Sequence, residues 1–223
     1  MNRTNEKPIV VIGGVSGVGK GTVISEIRRM NSCIEQARSD TTRAPRNDAN
    51  DYYRFISLNQ FFTNLENNLY VEYNLFSGNY YALNRDEIRR IHRQNLIVLI
   101  DCNSTGLIEL LNDEEFSDKV VSFYLTAAPE LVYERLVNRK SETPESIVKR
   151  LWEGIDDIQN AMTGIYDYVL VNADGQQKSV AEKILAILDG DTGYVENLDI
   201  EYLNILHEKQ KIFYEDKVGG NQS

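Results

Sequence analysis

Residues 13–22 read Gly-Gly-Val-Ser-Gly-Val-Gly-Lys-Gly-Thr, directly after the apolar run Ile9-Val10-Val11-Ile12. Gly14 to Lys20 match the pattern G-x-x-x-x-G-K, and Val23, Ile24 and Ile27 then recur at helical spacing. Strand, glycine turn and helix together make a polyphosphate cradle. Glycines let successive backbone N–H groups face an anion, and the helix that follows aims its positive end at it. Lys20 adds a full charge against the outer phosphates. The candidate cradle is Gly14, Val15, Ser16, Gly17, Val18, Gly19, Lys20, Gly21 and Thr22. The ligand class is a nucleotide. A Ser or Thr hydroxyl commonly ligates Mg²⁺ at the position after the lysine, but Gly21 stands there. The ion is then left mainly to water and phosphate oxygens.

Composition narrows the partners. The chain has 223 residues, 42% of them hydrophobic, enough for one good-sized core or a core with a small insertion. It carries 24 basic and 34 acidic residues, a net charge of −10, which disfavours general nucleic-acid binding. Eight of the acids lie in residues 189–223, against three bases. Arginines gather instead at 38–54, 85–93 and 135–150, which reads as local recognition of small anions. No apolar run approaches 18 residues, and the N-terminus lacks a signal-peptide core, so a cytoplasmic location is expected. Cys33 and Cys102 are too few for a disulfide framework and are expected as buried or half-buried thiols.

The elements that must position the loop alternate. Strands are predicted near 8–12, 53–56, 69–81, 96–100, 120–125 and 168–171. Helices are predicted from the loop to Met30 and over 58–69, 85–94, 129–138, 145–161 and 178–188. That order argues for an α/β fold with a parallel sheet core flanked by helices. After Gly190, Leu198, Tyr202, Ile205, Leu206, Lys209, Ile212 and Phe213 recur at helical spacing. The simplest reading is an extra helix docked on the core or on a second subunit, with residues 219–223 disordered; a regulatory partner-binding helix is the alternative. Trp152 is expected in the core, Asp156-Asp157 on a solvated surface, and His92 and His207 carry no assigned chemistry.

A second set of strings is more specific. Ser39-Asp40-Thr41-Thr42-Arg43-Ala44-Pro45-Arg46, Asp51-Tyr52-Tyr53-Arg54-Phe55, Val71-Glu72-Tyr73 and Phe76-Ser77-Gly78-Asn79-Tyr80-Tyr81 closely resemble the guanylate kinase family over about residues 7–188. The resemblance implies a P-loop kinase, residues 1–190, that uses ATP with Mg²⁺. It implies a small mixed β subdomain for GMP at about 37–90, a helical lid at about 129–155, and an acidic helical extension at 191–223. It also implies that Arg43, Arg46, Tyr53 and Tyr81 hold the GMP phosphate, while Glu72, with Ser39, reads guanine. Chemistry agrees: Arg43 and Arg46 lie three apart, so two guanidinium forks can converge on a dianion. One carboxylate can accept both N1–H and N2–H of guanine, and adenine offers no such pair.

Further along, Asp101-Cys102-Asn103-Ser104-Thr105-Gly106 departs from the family's Asp-x-Asp-x-x-Gly, so Asn103 stands where a base-contacting aspartate is usual. Ala82-Leu83 replace Gly-Ser, removing a base-side hydroxyl. Arg135, Arg139 and Arg150 fall at the lid positions, and Asn172 at the position beside adenine. Lys20, Arg43, Arg139 and Arg150 are the implied catalytic set, with Asp101 as a metal-shell candidate. The implied partners are small nucleotides, with neither nucleic acid nor membrane, in a monomer or homodimer. Two rival functions remain open: a kinase of another monophosphate or a phosphorylated sugar, and a non-catalytic binding module.

Overall fold

The computed structural model describes residues 7–45, 52–76, 78–139, 143–191, 193 and 200–219. Among these the order is β1 (Ile9–Gly14), α1 (Lys20–Met30), β2 (Ile34–Gln36), β3 (Ser39–Thr41), β4 (Tyr53–Phe55), α2 (Leu58–Glu66), β5 (Tyr70–Phe76) and β6 (Asn79–Asn84). Then follow α3 (Arg85–Arg93), β7 (Ile97–Asp101), α4 (Ser104–Leu111), β8 (Val120–Thr126), α5 (Pro129–Asn138), α6 (Pro144–Ala161), β9 (Tyr168–Val171), α7 (Gln177–Leu188) and α8 (Ile200–Gly219). The expected α/β class is found: a five-stranded parallel sheet in the order β2-β7-β1-β8-β9, and a mixed four-stranded sheet in the order β4-β3-β6-β5. Two compact units divide the chain. One comprises the segment up to Val11, Asn31–Ile100 and Thr105–Val121; the other comprises Ile12–Met30, Asp101–Ser104 and the chain from Ser122 onward.

Local chemistry explains where the helices begin. Ser57 Oγ accepts Gln60 N–H at 3.1 Å to cap α2, Asn84 Oδ1 accepts Asp86 N–H at 2.9 Å to cap α3, and Thr143 Oγ1 accepts Ser146 N–H at 3.2 Å before Pro144 opens α6. Every residue of β1 is buried, as a central parallel strand requires. The sequence reading missed β2, β3 and α4. The first two are three residues long and lack alternation. The start of α4 is held by a residue distant in sequence: Asp157 Oδ1 accepts the Ser104 N–H at 3.1 Å and its hydroxyl at 2.7 Å.

In the second unit, α8 docks on α5 and α6, as an extra core helix was expected to. Its buried face differs from the expected stripe. Leu203, Leu206, His207 and Gln210 are buried, whereas Ile205 and Ile212 are 50% and 65% exposed. Gln210 is the reason: its Nε2 donates to Leu151 O at 3.3 Å, so a polar residue occupies the docked face. Aromatic contacts finish the joint, Tyr133 with Phe213 at 5.7 Å and Trp152 with Tyr214 at 5.3 Å between ring centroids. Trp152 is therefore not core; it is 51% exposed and lies against α8. Gly219, expected in a disordered end, belongs to α8, and Leu198 lies outside the described residues. Cys33 is exposed rather than buried, Cys102 is half-buried, and both are free thiols.

In the first unit three of the four arginines of α3 are already paired with acids. Arg85 pairs with Asp113 at 2.5 Å, Arg89 with Glu115 at 2.7 Å, and Arg90 with Glu35 at 2.5 Å and Glu87 at 2.9 Å. Acids from other segments and from α3 itself pair with those three arginines. Arg54 is likewise committed, to the buried Asp40 at 2.5 Å.

Asp40 heads a polar chain beneath the mixed sheet. Tyr70 donates its phenol to Asp40 Oδ2 at 3.0 Å, Asn64 Nδ2 donates to that phenol at 3.0 Å, and Gln60 Nε2 donates to Asn64 Oδ1 at 2.8 Å. Burial, the largest cause, raises the Tyr70 phenol to about 12, so it stays a donor. Phe61 stacks on Tyr70 and Tyr80 at 5.1 and 4.5 Å, which fixes α2 on the same face. Asp40→Ala strands the Tyr70 donor and the Arg54 charge. Chemical denaturation should show a loss of about 2 kcal/mol, the usual scale for a charged hydrogen-bond acceptor.

Candidate active site

The glycine loop joins β1 to α1 as expected. Lys20 curls back: its Nζ donates to Gly14 O at 2.6 Å, and Val15 O lies 3.5 Å away. Gly14 and Gly19 have φ of +135° and +101°, the left-handed region that suits glycine. A Cβ on Gly14 would sit 2.5 Å from Leu125 O, and one on Gly19 would sit 2.6 Å from Asn172 Nδ2. Glycine is required at both positions for conformation and for space.

The loop's carbonyls are held from outside. Val18 O accepts Arg135 Nη1 at 2.7 Å and Asn172 Nδ2 at 2.8 Å. Arg135 also donates to Asn172 O at 3.3 Å and Ala173 O at 3.4 Å. Asn172 is fully buried, and its Oδ1 has no hydrogen-bond partner among the described residues. Arg150 Nη1, from α6, donates to Ser16 Oγ at 2.8 Å. Arg139 follows the last turn of α5 and is exposed. Thus Arg135, Arg150 and Asn172 all converge on the loop, whereas Thr22 is exposed on α1.

Asp101 closes β7 with part of its surface open to solvent. Crowding around its carboxyl raises it above the ordinary carboxylate range, and the charges of Lys20 and Arg139 act in the opposite sense. These three groups therefore share one electrostatic environment. Sequence reasoning missed the group that secures the neighbouring turn. Asp157, expected on a solvated surface, is half-buried, binds Ser104 as described and accepts the Tyr124 phenol through Oδ2 at 3.1 Å. Its partners come from β8 and the start of α4, so no local pattern could reveal them. Asp156 alone faces solvent. Asn103 precedes Ser104 in this turn.

The second cluster lies in the first unit. Strand register aligns Tyr53 with Ser39, Ser39 with Leu83, and Leu83 with Glu72. Residues opposite one another share a sheet face, so Tyr53, Ser39 and Glu72 stand in one row. Tyr81 is two residues from Leu83 on β6 and therefore shares that face. The Asp40 chain and Phe61 occupy the opposite face. Tyr53 and Tyr81 make an edge contact at 5.7 Å, and the Arg43 guanidinium lies 5.5 Å from the Tyr53 ring and 5.8 Å from that of Phe55. Paired bonds fix the turn before Arg43: Tyr80 N–H donates to Thr42 Oγ1 at 2.9 Å, and Thr41 Oγ1 accepts Arg43 N–H at 3.2 Å. Arg46 lies outside the described residues. Burial, then the charge of Glu109, raises the Glu72 carboxyl to about 8, against a hydrogen bond from the Leu83 backbone.

The chain is similar to known proteins. The guanylate kinase family model matches residues 5–189. A guanylate kinase of Prochlorococcus marinus subsp. pastoris is 33% identical over 172 residues, covering 76% of this chain and 91% of that protein. One from Clostridium perfringens is 28% identical over 217 residues, covering 96% of each. The crystal structure of guanylate kinase from Anaplasma phagocytophilum superposes with a TM-score of 0.63 at 22% identity, covering 85% of this chain and 88% of that one; the likeness supports the fold. A glycine loop braced at its carbonyls, a carboxylate and two tyrosines on one sheet face, and a family match over most of its length lead to one conclusion: this chain belongs to the guanylate kinase family.

Proposed function

We propose that the chain transfers the terminal phosphoryl group of ATP to GMP, and to dGMP, giving GDP. The observation that carries this reading is the row Tyr53–Ser39–Glu72, with Tyr81 on the same face of the mixed sheet. A ligand laid along that face meets phenolic donors for a phosphate and a carboxylate for a base. Residues 37–90 would serve as the acceptor subdomain, 129–155 as the lid, and 191–223 as the acidic extension, in a cytoplasmic monomer or homodimer.

The donor's phosphates lie against the amides of residues 14–22, with Lys20 leaving Gly14 O to reach the outer oxygens. Asn172 and Arg135 border the adenine side. Arg43, Arg46, Tyr53 and Tyr81 hold the acceptor phosphate in line. Glu72 and Ser39 accept the guanine donors, and Asn103 adds a neutral acceptor. Arg139 and Arg150 neutralise the charge that spreads over the moving phosphoryl group and exclude water. The protein contributes alignment and charge, which is nearly all this reaction asks of it.

Magnesium fits as an ion carried by the nucleotide. Among the described residues no group of three acidic, His or Cys side chains could hold a metal. A lone carboxylate in the field of Lys20 and Arg139 suits an ion that keeps most of its water. Asp101 would hold that water shell, and the ion would supply charge neutralisation between the donor phosphates.

GDP formation from ATP and GMP, with and without magnesium, tests the reading, with dGMP, AMP and a sugar phosphate as comparison acceptors. GMP and dGMP should dominate, and failure to turn over any nucleotide pair would favour a binding module. Lys20→Ala should lower kcat by roughly a thousandfold, the scale of a lost transition-state donor. Glu72→Ala should raise the GMP KM by about a hundredfold, with the ATP KM unmoved, because guanine's two donors lose their acceptor.

A further inference from the structure

Glu109 on α4 sits against the strand that carries Glu72. Its Oε2 accepts the Tyr73 N–H at 3.2 Å. That nitrogen is two covalent bonds from Glu72 Cα, so the Glu109 oxygen lies within about 6 Å of it by backbone dimensions alone. β5 is the edge strand of the mixed sheet, which leaves the Tyr73 N–H open to an acceptor from outside the sheet. Across the strand, β6 pairs Leu83 with Glu72, and Leu83 is 1% exposed. Glu72 is thus set between an apolar residue from β6 and a second carboxyl from α4. Burial is the main cause that raises its carboxyl, the charge of Glu109 adds to it, and the Leu83 backbone supplies the offsetting hydrogen bond. Nothing in the family strings of this sequence marks Glu109.

The two protonation states of Glu72 present different edges. Ionised, it offers two acceptors side by side, which match N1–H and N2–H of guanine. Neutral, it offers one acceptor beside one donor, which match N1–H and the C6 carbonyl. Guanine and hypoxanthine both carry that second pair, and only guanine carries the first. A carboxylate facing another carboxylate keeps its proton longer.

We propose that Glu109 is a positioning residue that makes base discrimination by Glu72 depend on pH, so that guanine is preferred over hypoxanthine when Glu72 is ionised and the preference fades as Glu72 takes up a proton. This rests on the reading of Glu72 as the base-binding carboxylate. On GMP binding below the titration midpoint, the Glu72 proton leaves to solvent and the carboxylate accepts the two guanine donors. The elevated carboxyl pKa, about 8, places the change in an accessible range.

The test measures kcat/KM for GMP and IMP from pH 6 to 9 in the full-length wild type, Glu109→Gln, Glu109→Asp and Glu72→Gln. In the wild type the GMP/IMP ratio should climb about tenfold across one to two pH units, as expected when one proton must leave. Glu109→Gln keeps an acceptor for Tyr73 N–H but removes the charge. Its rise should move to lower pH by about one unit, so that its ratio exceeds the wild type's at pH 7. Glu109→Asp should follow the wild type. Calorimetric titration with GMP at pH 7 in two buffers should show proton release in the wild type and less in Glu109→Gln. A Glu109→Gln profile that overlays the wild type, while Glu72→Gln collapses the ratio at every pH, would overturn the role of Glu109 alone. A Glu72→Gln enzyme that kept the wild-type ratio would instead remove the base-reading assignment beneath it.

Discussion

A backbone amide can point at an anion only if the carbonyls of the same loop are satisfied elsewhere. In this protein that constraint is met at two oxygens. Gly14 O takes the ammonium of Lys20, and Val18 O takes both Arg135 and the amide of Asn172. Remove the second pair and the loop's polar groups would have to be satisfied by water or by a different turn. The glycine at 19 follows from the same requirement, since a side chain there would strike the Asn172 amide that braces the loop, and one at 14 would strike Leu125 O. Arg135, which its sequence position suggests for the nucleotide, is thereby also part of the loop's own structure.

The mixed sheet separates two tasks by the pleat. Odd positions on β3, with their partners on β4 and β6, face one side and carry Ser39, Tyr53 and Tyr81. Asp40 and Arg54 face the other, where they join Tyr70, Asn64 and Gln60 in a connected polar chain. A side chain that must orient a ligand needs a backbone that does not shift. The chain beneath supplies that by tying α2 to three strands through bonds that bury no unpaired charge. Four short strands, which could not stand alone, become a rigid platform.

In the other unit α5 and α6 are tied down along their length. Asp157 joins α6 to the start of α4 and to β8, and Gln210, Phe213 and Tyr214 of α8 lie against α5 and α6. Lys217 adds its ammonium 4.7 Å from the Tyr133 ring centroid. The acidic C-terminal segment is thus partly a packing element of the helices that carry Arg139 and Arg150. The α8 acids Glu201, Glu208, Glu215 and Asp216 are exposed, and its buried face combines Leu203, Leu206 and His207 with a hydrogen-bonded glutamine.

The sequence alone determined the features that local chemistry controls. The glycine loop was legible because a tight turn with inward amides demands glycine at fixed spacing. The central strands β1, β7 and β8 were legible because burial on both faces demands an apolar run. The family strings were legible because two arginines three apart and paired tyrosines are unusual together. Tertiary structure decided what depends on partners distant in the chain. It turned the arginines of α3 toward Asp113, Glu115 and Glu35, made Asp157 a hub rather than a surface charge, brought Trp152 out against α8, and set Glu109 beside Glu72. Each outcome is a contact between residues far apart in sequence. Neither hydrophobic period nor capping pattern records such a contact, because its energy depends on which surfaces the folded chain brings together.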